Sequence, residues 1–357
     1  MRTLACILLF VAAATDRGLA AQAPAKYFGL DLIAQAVAAE EAPSDSQTTE
    51  ALNRFQTLRD KIGDDRPQQW LELPLEDRAV WLFEALHREI LTGRFEAKSS
   101  AVSTALLAGD YNCVSGTILY VALADAFSLP VTPQQMEGHV WCRVSAAPPI
   151  DVESTYPQWF ELSDETRRGA PGVKAGSAAA PLSRQALIAK IYYNRAVDRL
   201  ETRQFASAIE LLRQALRLDP SDKAAEQNWL AAKNNWAVEL AQHSQFDQAE
   251  RLLDEVAQTA PNYEPLLANR RHIRVLKVRS TIAAGAFSQA LEKAVLDSPR
   301  YERQLRLEVY EAWLKSLVES GDVQQAKQVL STAEREFDAD WRVAVRLKRL
   351  LRSPTAT

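Results

Sequence analysis

Apolar positions along this chain keep two different rhythms. Phe55, Leu58 and Ile62 recur at helical spacing after a polar stretch around 44–49. Between Leu75 and Leu91 a second run places Trp81, Leu82, Ala85 and Ile90 on one face. Pro74 at its start and Gly93 just past its end act as boundary signals. His87 falls within this run and reads as a partly exposed helix residue. Residues 27–110 are therefore expected to be helical. Asn112 to Phe127 predicts a further helix closed by Ser128-Leu129-Pro130; Val131, His139–Val144 and the stretch from Pro149 to Glu153 read as strands. Short strands after a helix, in a helical surround, predict an α+β domain over 27–163. The stretch 164–186 is rich in Gly, Ala, Pro and Ser without apolar periodicity, which reads as a flexible linker.

From about 187 the pattern repeats. Phe205-Ala-Ser-Ala208, Phe246-Asp-Gln-Ala249 and Phe287-Ser-Gln-Ala290 are spaced 41 residues apart, and Val323-Gln-Gln-Ala326 follows 36 later. Each opens a helix, the first three ending near Pro220, Pro261 and Pro299, and each is preceded by another apolar-periodic helix. Helix pairs at this period predict an α-solenoid over 187–352, with the alanines where helices must approach closely. These residues resemble the tetratricopeptide repeat. Ala196, Phe205, Ala208 and Ala215 before Pro220, and Ala237, Phe246 and Ala249 before Pro261, fall on its characteristic positions. The usual period is about 34, so the resemblance implies about two extra helical turns, mainly in each first helix. Trp341 to Leu351 reads as a solvated capping helix.

Composition narrows the possibilities. Only 12 glycines occur where an average share of roughly 7% would give about 25, which favours helices over turn-rich sheets. With 42 Lys+Arg against 46 Asp+Glu, the net charge of −4 excludes a bulk nucleic-acid binder. Four histidines and three cysteines exclude a histidine-rich metal cage or a disulfide scaffold, and phosphate-loop and dinucleotide motifs are missing. No cofactor or metal is expected. Residues 1–23, with Arg2 ahead of the apolar Leu4–Ala14 and small residues from Gly18 to Ala23, read as a secretory signal. The mature chain is then expected outside the cytoplasm, periplasmic or secreted, with no transmembrane segment; Cys6 would leave with the signal.

Chemistry concentrates between 111 and 153. Cys113 opens a helix, where unpaired N–H groups and the helix dipole favour a thiolate. His139 follows on a strand, able to take and return a proton, and Asp151 on the next strand could hold the imidazole. His139, Trp141 and Arg143 share one strand face; Asp151 and Glu153 share a face of the next, so either carboxylate could reach the ring. The Cys113 N–H is the default oxyanion donor, with Asn112 and Tyr111 as possible helpers. Cys142 points to the opposite face from His139 and is expected reduced and inert.

This window resembles the core of the transglutaminase-like superfamily of papain-like cysteine enzymes. Cys113 with Gly116, Leu119, Leu123 and Leu129-Pro130-Val131 is similar to its first block, His139-Val-Trp141 to its second and Asp151 to its third. Asn112-Cys113-Val-Ser, Asp151-Val-Glu-Ser-Thr155 and Trp159-Phe160 resemble a bacterial group coupling such a domain to tetratricopeptide repeats. Family enzymes usually carry Pro after the Asp; here Val152 and Glu153 follow, so Glu153 may replace Asp151 as the imidazole's partner. The resemblance implies an α+β transglutaminase-like N-terminal domain followed by an all-α tetratricopeptide-type solenoid. It implies amide-bond hydrolysis or transamidation by Cys113, His139 and Asp151, supported by Glu153, Asn112 and Trp141. The alternative is a non-catalytic interaction scaffold on a degenerate fold. In both, the repeats would bind a peptide or protein partner, with Asn194 and Asn235 lining the groove.

Overall fold

The computed structural model describes residues 29–41, 43–169, 179–337 and 340–351. The expected signal, 1–23, lies outside them. The chain divides into two compact units, the first through Ile188 and the second from Ala189.

The first unit contains α1 (Leu30–Ala38), α2 (Asp45–Asp64), α3 (Leu75–Glu89), α4 (Val102–Ala108) and α5 (Cys113–Ala126). The strands β1 (Val131–Met136), β2 (His139–Val144) and β3 (Ile150–Val152) follow. After α6 (Asp164–Gly169) comes the two-residue β4 (Ala180–Pro181). The strands form one antiparallel sheet in the order β3-β2-β1-β4. Helix α5 is the centre of the unit. All residues from Val114 to Ala124 are buried, so this helix is covered on every side, by α1, α3 and α4 and by β1 and β2. Burying each of its large apolar side chains contributes about 1.5–3 kcal/mol. Gly29 illustrates how tight the packing is: its φ is +85°, and a Cβ there would stand 2.2 Å from the Ala122 carbonyl oxygen.

The C-terminal end of α5 is closed by the preceding helices. Trp70 Nε1 donates to the Phe127 carbonyl at 2.7 Å and Arg78 Nη2 to the Ser128 carbonyl at 2.6 Å, satisfying acceptors the helix leaves unpaired. Trp70, Trp81 and Phe127 pack edge to face around this point. The expected face of α3 is buried at Leu82 and Ala85, with Ile90 capping the helix and Trp81 half-buried.

The expected linker, 164–186, has a more ordered outline at its ends. Its first residues form α6; near its end β4 pairs with Gln134 and Gln135 of β1, and helix α7 begins at Arg184. Residues 170–178 lie outside the described set.

The helix pairs are α7 (Arg184–Glu201) with α8 (Phe205–Leu218), α9 (Lys223–Gln242) with α10 (Phe246–Thr259), α11 (Glu264–Ala283) with α12 (Phe287–Lys293), and α13 (Pro299–Glu319) with α14 (Val323–Glu336). Helix α15 (Trp341–Leu350) ends the series. Every second helix begins at the residue the repeat marked, although α12 has only 7 residues. Ala208, Ala249, Ala290 and Ala326 are fully buried. The first helices α9, α11 and α13 run 20 or 21 residues against 14 for α8, α10 and α14, where the longer period is absorbed. Pro299 differs from expectation: it is the first residue of α13, where a missing N–H costs no hydrogen bond. Among the described residues no helix is long and apolar enough to cross a membrane.

Candidate functional site

Asn112 sets the geometry of the first candidate site. Its Oδ1 accepts from the backbone N–H groups of Val114 (2.9 Å) and Ser115 (3.1 Å), and its own N–H donates to Ser115 Oγ (2.9 Å). This reciprocal cap fixes where α5 begins and places Cys113 at the first helical position. The Asn112 Nδ2 group donates to the Ala97 carbonyl at 3.0 Å. Both ends of the amide are therefore spent on the cap, which corrects the expectation that Asn112 helps an oxyanion directly. The N–H of Cys113 itself has no hydrogen-bond partner among the described residues.

His139 begins β2, and its ring meets two groups. Nε2 contacts Glu153 Oε2, and the Cys113 side chain lies within hydrogen-bonding reach of the imidazole, leaving Nδ1 as the nitrogen for the sulfur. Burial works against a charged ring, but hydrogen bonds to Cys113 and Glu153 and the negative charge at both outweigh it. His139 is pushed up to about 10 and is an imidazolium at neutral pH. Glu153 is only 1% exposed. A carboxylate so deeply buried needs a partner. It has three: the imidazolium on one oxygen, and on Oε1 the Thr155 N–H (2.9 Å) and hydroxyl (2.7 Å).

Asp151 is placed differently from the expected triad. Strand register sets it opposite Arg143, and the two form a bidentate pair with Nε–Oδ1 at 2.7 Å and Nη2–Oδ2 at 2.9 Å. Trp141 Nε1 also donates to Asp151 Oδ1 at 3.1 Å. Both Asp151 oxygens are committed, and the carboxylate on the imidazole is that of Glu153. The reason is register: β3 ends at Val152, so Glu153 is released from the ladder and can turn toward His139. Trp141 stacks beside the ring at 6.1 Å, with planes 12° apart, and links it to Asp151. Cys113 is half-buried and Cys142 buried, and both are free thiols. Burial pushes the Cys142 thiol well up, and it packs under α5 with Sγ 3.8 Å from the Thr117 carbonyl oxygen.

Two contributors escaped the sequence reading. Thr155 anchors the carboxylate, and only its place two residues after Glu153, where a side-chain turn can close, hints at this. Arg143 shares the His139 face, yet its pairing with Asp151 depends on a register that the sequence does not spell out.

In the second unit the polar side chains mostly join helices. Tyr193 OH accepts from Asn228 Nδ2 at 3.1 Å, tying α7 to α9, and the Lys233 ammonium sits 3.7 Å over the Trp229 ring while pairing with Glu255. Asn194 is half-buried and Asn235 exposed. Their neighbour Asn234 is 2% exposed, with an Oδ1 that has no hydrogen-bond partner.

A tetratricopeptide repeat model matches residues 189–222. Comparison with curated proteins and with solved structures finds no match. The matched segment is the helical stretch from Ala189 through α8 and its following turn. Its buried contacts include Ala196, Ala208 and Ala215. Such repeats generally bind protein partners, and the tail of this chain is built of helix pairs of that type.

Proposed function

We propose that the first unit is a thiol-dependent acyl-transfer enzyme acting on amide bonds of a peptide or protein, and that the repeats hold that substrate or dock a partner. The observation that carries this reading is the line from Cys113 through His139 to Glu153: a half-buried thiol at a helix start, an imidazolium beside it and a buried carboxylate behind. Supporting it is the order of the three groups on a helix start, a strand and the segment after the next strand, as in the transglutaminase-like superfamily.

In this scheme the Cys113 thiolate attacks the carbonyl carbon, forming the C–S bond. The oxyanion lies over the start of α5, where the unpartnered Cys113 N–H is the donor. His139 gives its proton to the departing amine as the C–N bond breaks. Water or a second amine then attacks the thioester with His139 as base, releasing acid or new amide and restoring the pair. Glu153 takes the orienting role that the sequence resemblance gave to Asp151; Trp141 and Asp151 brace the ring from the side. The secretory reading of 1–23 places the mature protein outside the cytoplasm, and its support is the Arg2 and Leu4–Ala14 pattern.

The test is an electrophilic peptide probe with mass mapping of the adduct on the mature protein. Labelling is expected at Cys113, lost in Cys113→Ala and strongly reduced in His139→Ala. Equal labelling of Cys113 with and without His139 would contradict the reading.

A further inference from the structure

His87 lies in α3 as a buried imidazole that the proposed chemistry does not use. Its ring packs against Phe83 at 4.6 Å and Tyr111 at 5.9 Å, and Phe83 in turn meets Phe160 at 5.2 Å. Both ring nitrogens are shielded from solvent, and neither attains a well-formed hydrogen bond. The one polar group within reach is the Ser154 backbone. Burial lowers His87 to about 4, so the ring is neutral at pH 7. Phenylalanine would suit this aromatic surround without stranding two polar nitrogens, so packing alone does not account for an imidazole here.

Ser154 supplies the missing reason. It follows Glu153 directly, is 2% exposed and sits against α5: a Cβ on Gly116 would come within 2.5 Å of Ser154 Oγ. Glu153 lies beyond the end of β3, so no strand ladder fixes its backbone. What fixes it is the turn closed by Thr155 and the wedging of Ser154 between α3 and α5. Tyr111, in contact with His87, precedes the cap of the Cys113 helix and also senses the Glu153 charge. One imidazole therefore touches both the segment carrying the carboxylate and the segment leading to the thiol.

The geometry points to His87 as a positioning residue: by holding the Ser154 backbone it sets the Glu153–Thr155 turn so that the Glu153 carboxylate meets His139 opposite Cys113. The catalytic meaning of that placement rests on the function proposed above; the placement itself does not.

The experiment follows the titration of His139 by NMR in the full mature chain, alongside thermal melting and the rate of Cys113 alkylation by iodoacetamide at pH 7. In His87→Phe the His139 midpoint is expected to fall by about one pH unit and alkylation to slow about tenfold. His87→Asn or His87→Gln, each keeping an N–H donor, should restore most of both. His87→Leu serves the same purpose as His87→Phe should the latter fail to fold. A His139 midpoint unchanged in the apolar variants, with melting alone affected, would overturn the inference and leave His87 a packing residue. A midpoint that moves as expected in a protein whose Cys113 transfers no acyl group would uphold the positioning role while refuting the proposed enzyme.

Discussion

The two units of this chain are held by different kinds of contact. In the second unit, order comes from many similar small decisions: Ala208, Ala249, Ala290 and Ala326 are each buried where one helix crosses another. Each repeat contacts mainly its neighbours, so stability is spread along the array. In the first unit a single constellation concentrates the cost. Glu153 is buried with its charge, His139 is held as the imidazolium that neutralises it, and Asn112 spends its whole amide on presenting Cys113. A distributed architecture tolerates local damage and suits a surface for partners, whereas a concentrated one suits chemistry and fails all at once.

The sharpest way to break that contrast is His139→Ala. Removing one partner of a buried pair leaves the other charge uncompensated, so unfolding of the first unit should become easier by about 3–5 kcal/mol. Ala249→Leu should overpack one helix contact and cost about 1–3 kcal/mol, with the loss confined to the second unit. Hydrogen exchange resolved by peptide separates these outcomes. If either substitution weakens both units equally, the division into a concentrated and a distributed unit is wrong.

The pH dependence gives a graded version of the same test. His139 titrates at about 10 in the folded protein and at roughly 6.5 in an unfolded chain. The folded state therefore binds the proton more tightly. That contribution is fully present below the unfolded value and is lost as pH rises through the folded one. Urea midpoints should decline between about pH 7 and pH 10, and the decline should flatten in His139→Gln. A wild-type profile parallel to that of the variant would contradict the imidazolium assignment. The smallest effect is expected from Asn235→Ala: the side chain is exposed, and stability should change by less than about 0.5 kcal/mol. A larger change in thermal melting would show that Asn235 carries structure.

How much of this could be read in advance follows from the same contrast. The repeat helices declare themselves because their signals are local: an aromatic, a small residue three positions later and a proline two turns beyond recur along one chain. The start of α5 was equally legible, since Asn112 is a good cap and Ser115 completes it. The partner of His139 was not. Asp151 and Glu153 sit on the same strand parity, and only the register of β2 against β3, with the early end of β3 at Val152, commits Asp151 to Arg143 and frees Glu153. Strand pairing is non-local, and a two-residue difference in reach leaves no mark in residue spacing. Pro299 shows the reverse limit: a helix-ending proline and a helix-starting one look alike without the turn between them.

The account stands most directly on which carboxylate serves the imidazole. The deciding measurement is the rate of Cys113 alkylation by iodoacetamide at pH 7 in Glu153→Gln and Asp151→Asn, each checked for folding by circular dichroism. Loss of the Glu153 charge should slow the reaction about tenfold or more by removing what holds the ring as an imidazolium. Asp151→Asn should stay within about twofold of the wild-type rate, because Asp151 is tied to Arg143 and Trp141. A slow Asp151→Asn beside a normal Glu153→Gln would contradict the arrangement described for this site.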